Sequence, residues 1–343
     1  MTLQIILAFV IAFLVATAVG AWLVPFLRRI KAGQAIREDG PTWHMSKAGT
    51  PNMGGFMFII ASIVVCLSVG FKNMLDGDFT HIIVLVFALV FGAIGFIDDY
   101  EKLRKKQNLG LTAKQKFLLQ LVVAIAFIYL LRLCGMIEAS AEKAHCIDLY
   151  IPFFNVSFAV NEIVYIVFAA FVIVGCVNAV NITDGVDGLC SGTSIPVFLF
   201  YTVLCFYWGK EYLGLGIFSA AITGGLLGFL VYNFNPAKIF MGDTGSLFLG
   251  GAVVACAFAY DMPLILITLG IIYIIETLSD IIQVLYFKAT HGKRFFKMAP
   301  FHHHLEMGGW TGKKWKEREL FVLFTGVSLL FAVISFIGVS ARF

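Results

Sequence analysis

The sequence predicts an all-α membrane protein that crosses the bilayer about ten times, with both termini outside the cell. Three observations support this fold class. Of the 343 residues, 60% are hydrophobic and only 13% are charged, whereas a soluble globular domain has about 25% charged residues. Apolar runs of about eighteen residues or more recur along the chain, and each is long enough to span about 30 Å of hydrocarbon. Lysine and arginine are concentrated in alternate loops between these runs.

The positions of the apolar runs define the expected spans, whose ends are uncertain by about two to four residues. The spans lie at roughly 3–27, 53–71, 80–97, 117–134, 158–177, 191–208, 213–232, 245–260, 263–287 and 320–340. No internal repeat or low-complexity linker interrupts the series. Residues 1–343 are therefore expected to form one integral-membrane domain. In the loop after the fourth run, the alternation from Ile147 to Phe158 favours a small β-hairpin.

The distribution of basic residues predicts which loops face the cytoplasm. With ten spans, the loops at 28–52, 98–116, 178–190, 233–244 and 288–319 lie on one side and hold 20 of the 25 lysines and arginines. Such an excess is typical of cytoplasmic loops. We therefore expect the active site on the cytoplasmic face, where a basic surface attracts anionic headgroups and anionic substrates.

Six aspartates lie inside or directly beside the apolar runs: Asp98, Asp99, Asp184, Asp187, Asp243 and Asp280. A carboxylate near hydrocarbon costs at least a few kcal/mol, so it indicates a functional site. Asp98 and Asp99 end the third span, where they repel one another and the helix dipole disfavours them. A cation is expected nearby, and Mg²⁺ is the usual one where oxygen ligands meet phosphate. The alternative is a solvated helix end that pairs with local lysine and arginine.

Two turns carry the other carboxylates outside the spans. The first turn contains two Asp-Gly steps, at Asp184 and Asp187, which indicate tight turns. These two acids can line one pocket together with Asn181. In the second, segment 233–246, Asp243 lies between glycines just before a span. Free backbone N–H groups at such a helix start can bind phosphate. Capping of a turn or a helix is the structural alternative in both.

Three successive histidines, His302, His303 and His304, lie in the last basic loop. Consecutive side chains diverge, whereas zinc-binding pairs favour wider spacing, so contacts to phosphate or carbonyl groups are expected instead. Lys47, in a glycine-rich segment before the second span, is a further candidate phosphate contact.

On the ninth span, Glu276, Asp280 and Gln283 share one helical face. A polar face of this kind should point into the protein, because contact with lipid would be unfavourable. The sequence leaves the roles of Glu276 and Asp280 open.

The combination of acids, glycine turns, lysines and histidines favours phosphoryl transfer at a membrane face. The chain lacks a Walker A loop, which argues against an ATP-driven pump. Two classes of protein remain. One is an enzyme that joins a nucleotide-activated group to a lipid phosphate, and the other is a secondary transporter that uses the acids as an ion or proton relay. Relay acids should lie near the bilayer midplane, whereas five of the six aspartates fall at one face. The enzyme is therefore favoured.

Four segments together resemble the polyprenyl-phosphate N-acetylhexosamine-1-phosphate transferase superfamily. They are Asp98-Asp99, 181–187, 240–246 and 300–306. Within it, segment 47–55 and the triple histidine resemble the family that transfers phospho-N-acetylmuramoyl-pentapeptide. The resemblance covers almost the whole chain, and Asn52, where the family more often has threonine, is a small departure. It implies a multi-pass protein of the bacterial cytoplasmic (plasma) membrane that forms a homodimer.

The resemblance also implies a reaction. UDP-N-acetylmuramoyl-pentapeptide (UDP-MurNAc-pentapeptide) and undecaprenyl phosphate give lipid I and UMP with Mg²⁺ as cofactor, in the first membrane step of peptidoglycan synthesis. No nucleic acid partner is expected. A phosphate monoester has a second pKa of about 6, so charge screening and in-line positioning matter more than proton removal. Direct attack and a covalent aspartyl-phosphate intermediate both remain open.

Site roles are assigned from the same resemblance. The expected catalytic residues are Asp98, which orients or deprotonates the lipid phosphate, Asp99, which supports it or the metal, Asp243, which binds the metal, and His302. The uridine and ribose pocket is assigned to Asn181, Asp184, Asp187, Phe240 and Gln283, with Asn233 nearby. Contacts to phosphates or to the muramoyl peptide are assigned to Lys47, Lys102, Lys114, His302, His303 and His304. The lipid is expected to enter through a groove near the ninth span.

Overall fold

The structure is a computed structural model that describes residues 1–30, 47, 49–105, 107, 110–137, 139–141 and 143–342. Most of the basic loop at 28–52 therefore lies outside the described residues. The described chain is mostly helical. Its helices are α1 (Thr2–Arg29), α2 (Phe56–Ser68), α3 (Phe71–Leu75), α4 (Thr80–Lys105), α5 (Ala113–Leu133), α6 (Glu162–Thr183), α7 (Leu189–Trp208), α8 (Leu213–Asn233), α9 (Gly242–Ala259), α10 (Leu266–Leu269), α11 (Ile271–Ala289), α12 (Phe301–Glu306) and α13 (Glu317–Val339).

A single β-hairpin interrupts the helices of the described chain. Strands β1 (Cys146–Ile151) and β2 (Val156–Asn161) pair antiparallel, with Cys146 opposite Asn161 and Ile151 opposite Val156. The hairpin confirms the prediction made from the alternating residues. Alternation of this kind suits a strand better than a helix, and the rest of the described chain remains mostly helical.

The prediction of a polytopic helical membrane protein is confirmed, but the number of ten spans is not. Among the described residues, eight helices are long and apolar enough to cross a membrane, or up to nine if one bent pair is counted as a span. The bent pair replaces the predicted span 263–287: Pro263–Leu269 and Ile271–Ala289 meet at 80°. The predicted span 53–71 contains the 13-residue α2, which is about 20 Å long against a hydrocarbon thickness of about 30 Å.

The beginning of α2 is set by backbone pairing with the segment before α9. The amide of Gly54 donates to the carbonyl of Phe240 at 2.7 Å, and the amide of Gly55 donates to Met241 at 3.0 Å. A Cβ built on Gly55 would lie 2.2 Å from the Cα of Gly245, so the two helix starts touch backbone to backbone. This contact explains why α2 starts later than the apolar run predicts.

The two central helices, α8 and α9, are almost entirely buried. Helix α8 packs against α1, α2 and α7, and α9 packs against α4 and α6. In a membrane, close packing of small residues replaces the hydrophobic effect as the force between helices. At Gly95 of α4, a Cβ would lie 2.1 Å from the carbonyl oxygen of Asp243, so the missing side chain lets α4 reach the start of α9.

The bundle has two distinct polar ends. The loops that follow α4, α6 and α8 come together at one end, where Lys102 and Asn181 both contact Asp243. The chain termini lie at the other end, where Gln4 contacts Asn73 and Arg342 contacts Asp261. The predicted alternation of all the loops between two membrane faces stays a prediction. The assignment of one end to the cytoplasm also stays a prediction.

We predict that Gly95→Ala lowers the apparent unfolding temperature of the detergent-purified protein. The added methyl group would meet the backbone of Asp243 and Thr244, and overpacking of this kind costs about 1–3 kcal/mol. Scanning fluorimetry measures the effect.

The matched control is Gly175→Ala in α6. A Cβ at Gly175 meets no atom within 4 Å, so the substitution should be neutral or stabilising, because alanine favours a helix over glycine by about 1 kcal/mol. Equal unfolding temperatures for the two variants would contradict the close contact between α4 and α9.

Candidate functional site

Four helices bring one charged cluster together, called here the Asp243 cluster. It consists of Asp98 and Lys102 of α4, Lys116 of α5, Asn181 of α6 and Asp243 of α9. Lys102 Nζ lies 2.6 Å from Asp98 Oδ2 and 3.0 Å from Asp243 Oδ2. Lys116 Nζ lies 2.9 Å from Asp243 Oδ2, and Asn181 Nδ2 donates to Asp243 Oδ1 at 2.9 Å. Two lysines therefore neutralise two carboxylates that would otherwise repel.

The local sequence of α4 explains why Asp98 faces this cluster. The helix continues past the predicted end of the span as far as Lys105, and basic residues in its last turn are favourable at the negative end of the helix dipole. Lys102 lies four residues after Asp98 and so shares its face. Asp98 Oδ1 also accepts a hydrogen bond from the amide of Leu111 at 2.8 Å. A Cβ at Gly110 would lie 2.6 Å from Asp98, so glycine is required for this approach.

Asp99 lies behind the cluster and caps α9. Its Oδ2 accepts hydrogen bonds from the amide and the hydroxyl of Thr244 at 2.8 and 2.7 Å, and its Oδ1 accepts from Asn52 at 3.2 Å. The first amides of a helix have no partner within the helix, so Asp99 satisfies one of them from a neighbouring helix. The structure thus gives Asp99 a structural task, and its catalytic role stays a prediction. Asn52, the position that departs from the family pattern, contacts this acid.

The oxygen donors of the Asp243 cluster fit Mg²⁺. Lys102 Nζ bridges Asp98 and Asp243, so the two carboxylates already face a common position for positive charge. Among the residues that the structure describes, no three His, Cys, Asp or Glu side chains form a ready-made cage. Mg²⁺ does not need one, because it usually binds through one or two carboxylates together with substrate phosphates.

The end of α6 and the turn that follows it contact three different groups. Asn181, in the last turn of α6, reaches the Asp243 cluster, the backbone of Gly185 lies against His302, and Asp187 reaches Lys47. The turn is tight because Gly188 adopts a positive φ of 75°, which glycine tolerates without strain. The Asp-Gly steps predicted this turn, and the structure adds that it connects three groups of polar residues.

Asp187 belongs to a second group, the Lys47 network of Lys47, Asp187, Asn235 and Glu317. Lys47 Nζ lies 2.7 Å from Asp187 Oδ1 and 2.7 Å from Glu317 Oε2. Asp187 Oδ2 accepts from Asn235 Nδ2 at 3.1 Å and from the amide of Ala237 at 2.9 Å. Asp187 is only 3% exposed. Its carboxylate therefore ties α7, α13 and the loop before α9 together.

Asp184 lies between these two groups. Burial, together with the nearby carboxylates of Asp243, Asp99 and Asp187, raises the pKa of Asp184 to about 8. At neutral pH this side chain is therefore mainly protonated, and a protonated carboxyl can donate a hydrogen bond.

His302 is held by Glu276 of α11. Glu276 Oε2 lies 2.7 Å from His302 Nδ1, Glu276 Oε1 accepts from the amide of His302 at 3.2 Å, and both side chains are fully buried. Burial lowers the pKa of His302, but the carboxylates of Glu276, Glu306 and Asp280 raise it above its usual value. Its Nε2 contacts no hydrogen-bond partner among the described residues. A Cβ at Gly185 would lie 2.3 Å from this atom, so His302 Nε2 faces the central turn.

Gln283, His304 and Asn233, three further predicted substrate contacts, hold backbone segments. Gln283 Oε1 accepts from the amides of Phe295 and Phe296 at 3.1 and 2.9 Å. His304 Nδ1 accepts from the amide of Lys297 at 3.1 Å, and burial and Lys297 lower the pKa of His304. Asn233 accepts from the amide of Gly188 at 3.0 Å and donates to the carbonyl of Ile239 at 2.9 Å.

The remaining predicted contacts differ in exposure. Phe240 is half-buried, and its amide donates to the carbonyl of Pro51 at 2.8 Å. His303 Nδ1 lies 2.7 Å from Glu306 Oε2. Lys114 is exposed at the start of α5. Their roles in substrate binding stay predictions.

Sequence reasoning missed Lys116 and Glu317, and it left Glu276 open. Lys116 and Lys114 are two residues apart, so they point in different directions and only one can face the bundle. The buried Gln120, one turn after Lys116, marks the inward face and could have identified the correct lysine. Glu317 carries no comparable signal, because it follows a run of exposed lysines at the start of α13.

Comparisons with known proteins show a consistent likeness over nearly the whole chain. Residues 81–261 match the family model described as glycosyl transferase family 4. The chain is 45% identical over 333 residues to the phospho-N-acetylmuramoyl-pentapeptide-transferase of Listeria monocytogenes serotype 4b, covering 97% of each chain. The proteins of the same name from Bacillus cereus and Halalkalibacterium halodurans are 44% and 43% identical over 331 residues, or 96% of each chain.

We predict that Asp184 makes the protein less stable as the pH rises. Between the ordinary pKa of 3.8 and the folded value of about 8, the unfolded chain releases the Asp184 proton while the folded chain retains it. The free energy of unfolding therefore falls with rising pH over this window. Asp184→Asn cannot ionise, so its apparent unfolding temperature should exceed that of the parent at about pH 8 and approach it near about pH 5.

The control is the same substitution three residues later. Asp187→Asn weakens the Lys47 network, and removal of one partner of a buried ion pair costs about 3 kcal/mol. This variant should unfold at a lower temperature than the parent across the whole pH range. A decrease of equal size in both variants, without pH dependence, would contradict the raised pKa of Asp184.

Proposed function

The chain belongs to the family of phospho-N-acetylmuramoyl-pentapeptide-transferases, and on this premise we propose that it transfers phospho-N-acetylmuramoyl-pentapeptide from UDP-MurNAc-pentapeptide to undecaprenyl phosphate. The products are lipid I and UMP, so the reaction is the first membrane step of peptidoglycan synthesis. The observation that carries the proposal is the identity of 43–45% with relatives of that name over nearly the whole chain. The Asp243 cluster supplies chemistry suited to this reaction.

The main physical difficulty of the reaction is that two anions must meet. A lipid phosphate monoester with a second pKa of about 6 is mostly dianionic at neutral pH, and the UDP-linked donor carries a diphosphate. Lys102 and Lys116 place two ammonium groups beside Asp243, where they lower the repulsion between the phosphates. Asp98 shares Lys102 with Asp243, which suits a role in orienting the attacking phosphate.

Asp243, with Asp98, is the proposed ligand for Mg²⁺. These carboxylates would hold the ion, which would supply positive charge to offset the phosphate charge during transfer. Asn181 supports this assignment, because its Nδ2 donates to Asp243 Oδ1 and to Ser246 Oγ and so fixes the orientation of the carboxylate.

The surroundings of the cluster suit the rest of the donor substrate. The protonated carboxyl of Asp184 can donate to a carbonyl or hydroxyl oxygen of the uridine. His302, whose protonated form is favoured by Glu276, turns a buried Nε2 toward the same turn and can donate to a phosphate oxygen. Lys47 holds Asp187 in the Lys47 network, so its proposed role is to support the turn that carries Asp184.

We place the Asp243 cluster at the cytoplasmic face of the bacterial plasma membrane. The support is the excess of lysine and arginine in alternate loops of the sequence, which hold 20 of the 25 basic residues. Homodimer formation is an expectation of the family resemblance.

The decisive experiment is an assay of the purified protein with UDP-MurNAc-pentapeptide and polyprenyl phosphate, with and without Mg²⁺. Release of UMP that requires both substrates supports the transferase. UDP-N-acetylglucosamine as donor is the control and should release little UMP. Ion or sugar flux in vesicles without UMP release would instead support the transporter that the sequence left open.

We predict that Asp243→Asn reduces kcat by about a hundredfold or more, because removal of one preorganised electrostatic contact in an active site commonly lowers kcat by about this factor. The Mg²⁺ concentration for half-maximal activity should also increase. The matched control is Glu101→Gln, since Glu101 pairs with Lys105 outside the cluster; this variant should retain normal turnover. Near-normal turnover of Asp243→Asn at limiting Mg²⁺ would contradict the assignment of Asp243 as the metal ligand.

A further inference from the structure

Two uncharged amides meet inside the bundle, one helical turn away from the Asp243 cluster. Asn178 Nδ2 of α6 donates to Gln120 Oε1 of α5 at 2.7 Å, and Gln120 Nε2 lies 3.5 Å from Asn178 Oδ1. Gln120 is fully buried. An amide in an apolar environment strongly favours its hydrogen-bonded arrangement, so this pair holds α5 and α6 in one register.

The two amides lie on the same faces of α5 and α6 as the residues that contact Asp243. Gln120 lies four residues after Lys116 on α5, and Asn178 lies three residues before Asn181 on α6. Each amide therefore shares a helical face with a residue that contacts Asp243. Lys116 contacts Asp243 Oδ2, whereas Asn181 contacts Asp243 Oδ1. Helices α5 and α6 therefore meet at two successive levels, first through the amide pair and then through Asp243.

Among the described residues, helix α5 has one other polar pair with α6, Arg132 with Glu162, which lies at the far end of α5 from Lys116. The buried residues of α5 are Gln120, Ala124, Phe127, Ile128 and Leu131. The four apolar members of this set tolerate small rotations and translations, because dispersion contacts have no strong directionality. A paired amide is directional. The Gln120–Asn178 pair also contains the buried residue of α5 that lies nearest to Lys116 in the sequence.

We propose that the Gln120–Asn178 amide pair is a positioning element of the transferase site, which sets the rotation and height of α5 so that Lys116 reaches Asp243 opposite Asn181. This inference rests on the proposed function and deepens it. Neither amide touches the Asp243 cluster, so both act through Lys116. Asn181 is less dependent on the pair, since α6 is also held by its packing against α9.

A purely structural role would give a different pattern of effects. An interhelical polar pair that only stabilises the fold would change the unfolding temperature and leave kcat of the folded enzyme unchanged. A positioning pair changes kcat even where the fold is retained, and its effect disappears when Lys116 is absent. The second pattern follows because residues that act through one another show non-additive effects.

The experiment measures kcat, the KM for UDP-MurNAc-pentapeptide and the apparent unfolding temperature of purified variants. Gln120→Leu retains the size of the side chain and suits an apolar surrounding, so the fold should persist. We expect kcat to fall about tenfold to a hundredfold, because small displacements of a charged group have effects of this size. In a Lys116→Met background, the addition of Gln120→Leu should cause no further loss.

A swap of the two amides provides the rescue. Gln120→Asn and Asn178→Gln each alter the length of one partner and should lower kcat separately. The double swap restores the combined length of the pair and should return kcat to within about threefold of the parent. The matched control is Thr268→Val, which breaks the interhelical contact of Thr268 with Ser335 at 2.8 Å near the opposite end of the bundle. This variant should change the unfolding temperature and leave kcat unchanged.

The outcomes separate this inference from the proposed function. A parent enzyme that releases no UMP would overturn the proposed function and this inference with it. An active parent whose kcat is unaffected by Gln120→Leu would overturn the positioning role alone. Additive losses of Gln120→Leu and Lys116→Met, or a double swap that remains as slow as the single variants, would also overturn it. Rescue together with non-additivity would support it.

Discussion

The half-buried carboxylate of Asp243 determines how the polar end of this bundle is arranged. A carboxylate among apolar helices is stable only when opposite charge and hydrogen-bond donors surround it. Lys102, Lys116 and Asn181 supply them from three different helices. The requirements of one side chain therefore constrain the rotation of four helices, and Gly95 provides the space that lets α4 approach closely enough. The same constraint that organises the fold also produces a site suited to phosphates.

Several of the predicted site residues hydrogen-bond to backbone groups. Where a chain turns inside or beside a membrane, its free amides and carbonyls need partners, because water is scarce there. Asp99 satisfies the first turn of α9, Asn233 joins the start of α7 to the loop before α9, and Gln283 holds the loop after α11. Substitution of these residues should reduce activity through the position of the helices. All three lie on helices at or near the point where the chain leaves the helix, so their backbone contacts could not be read from the sequence.

The sequence predicted the polytopic helices from the long apolar runs and the hairpin from the alternating residues. It assigned Asn181 to the nucleotide pocket, whereas the structure brings Asn181 to Asp243. It did not predict the break at Gly270, since the residues on both sides of that glycine are equally apolar. The late start of α2 depends on backbone pairing with a segment about 190 residues away, which no local pattern reveals. The capping role of Asp99 likewise depends on Thr244, 145 residues away. Lys116 and Lys114 could be distinguished only by the rotation of α5.

The short length of α2 has a consequence for the membrane itself. A helix of about 20 Å cannot cross a hydrocarbon layer of about 30 Å, and its first residues lie against the start of α9, which carries Asp243. If the far end of α2 is level with one surface, the start of α9 lies below the other surface. A lipid phosphate bound there would be drawn beneath the plane of its neighbours, with local thinning of that leaflet. The bilayer thickness would then contribute to the binding energy, and a thicker bilayer would oppose it.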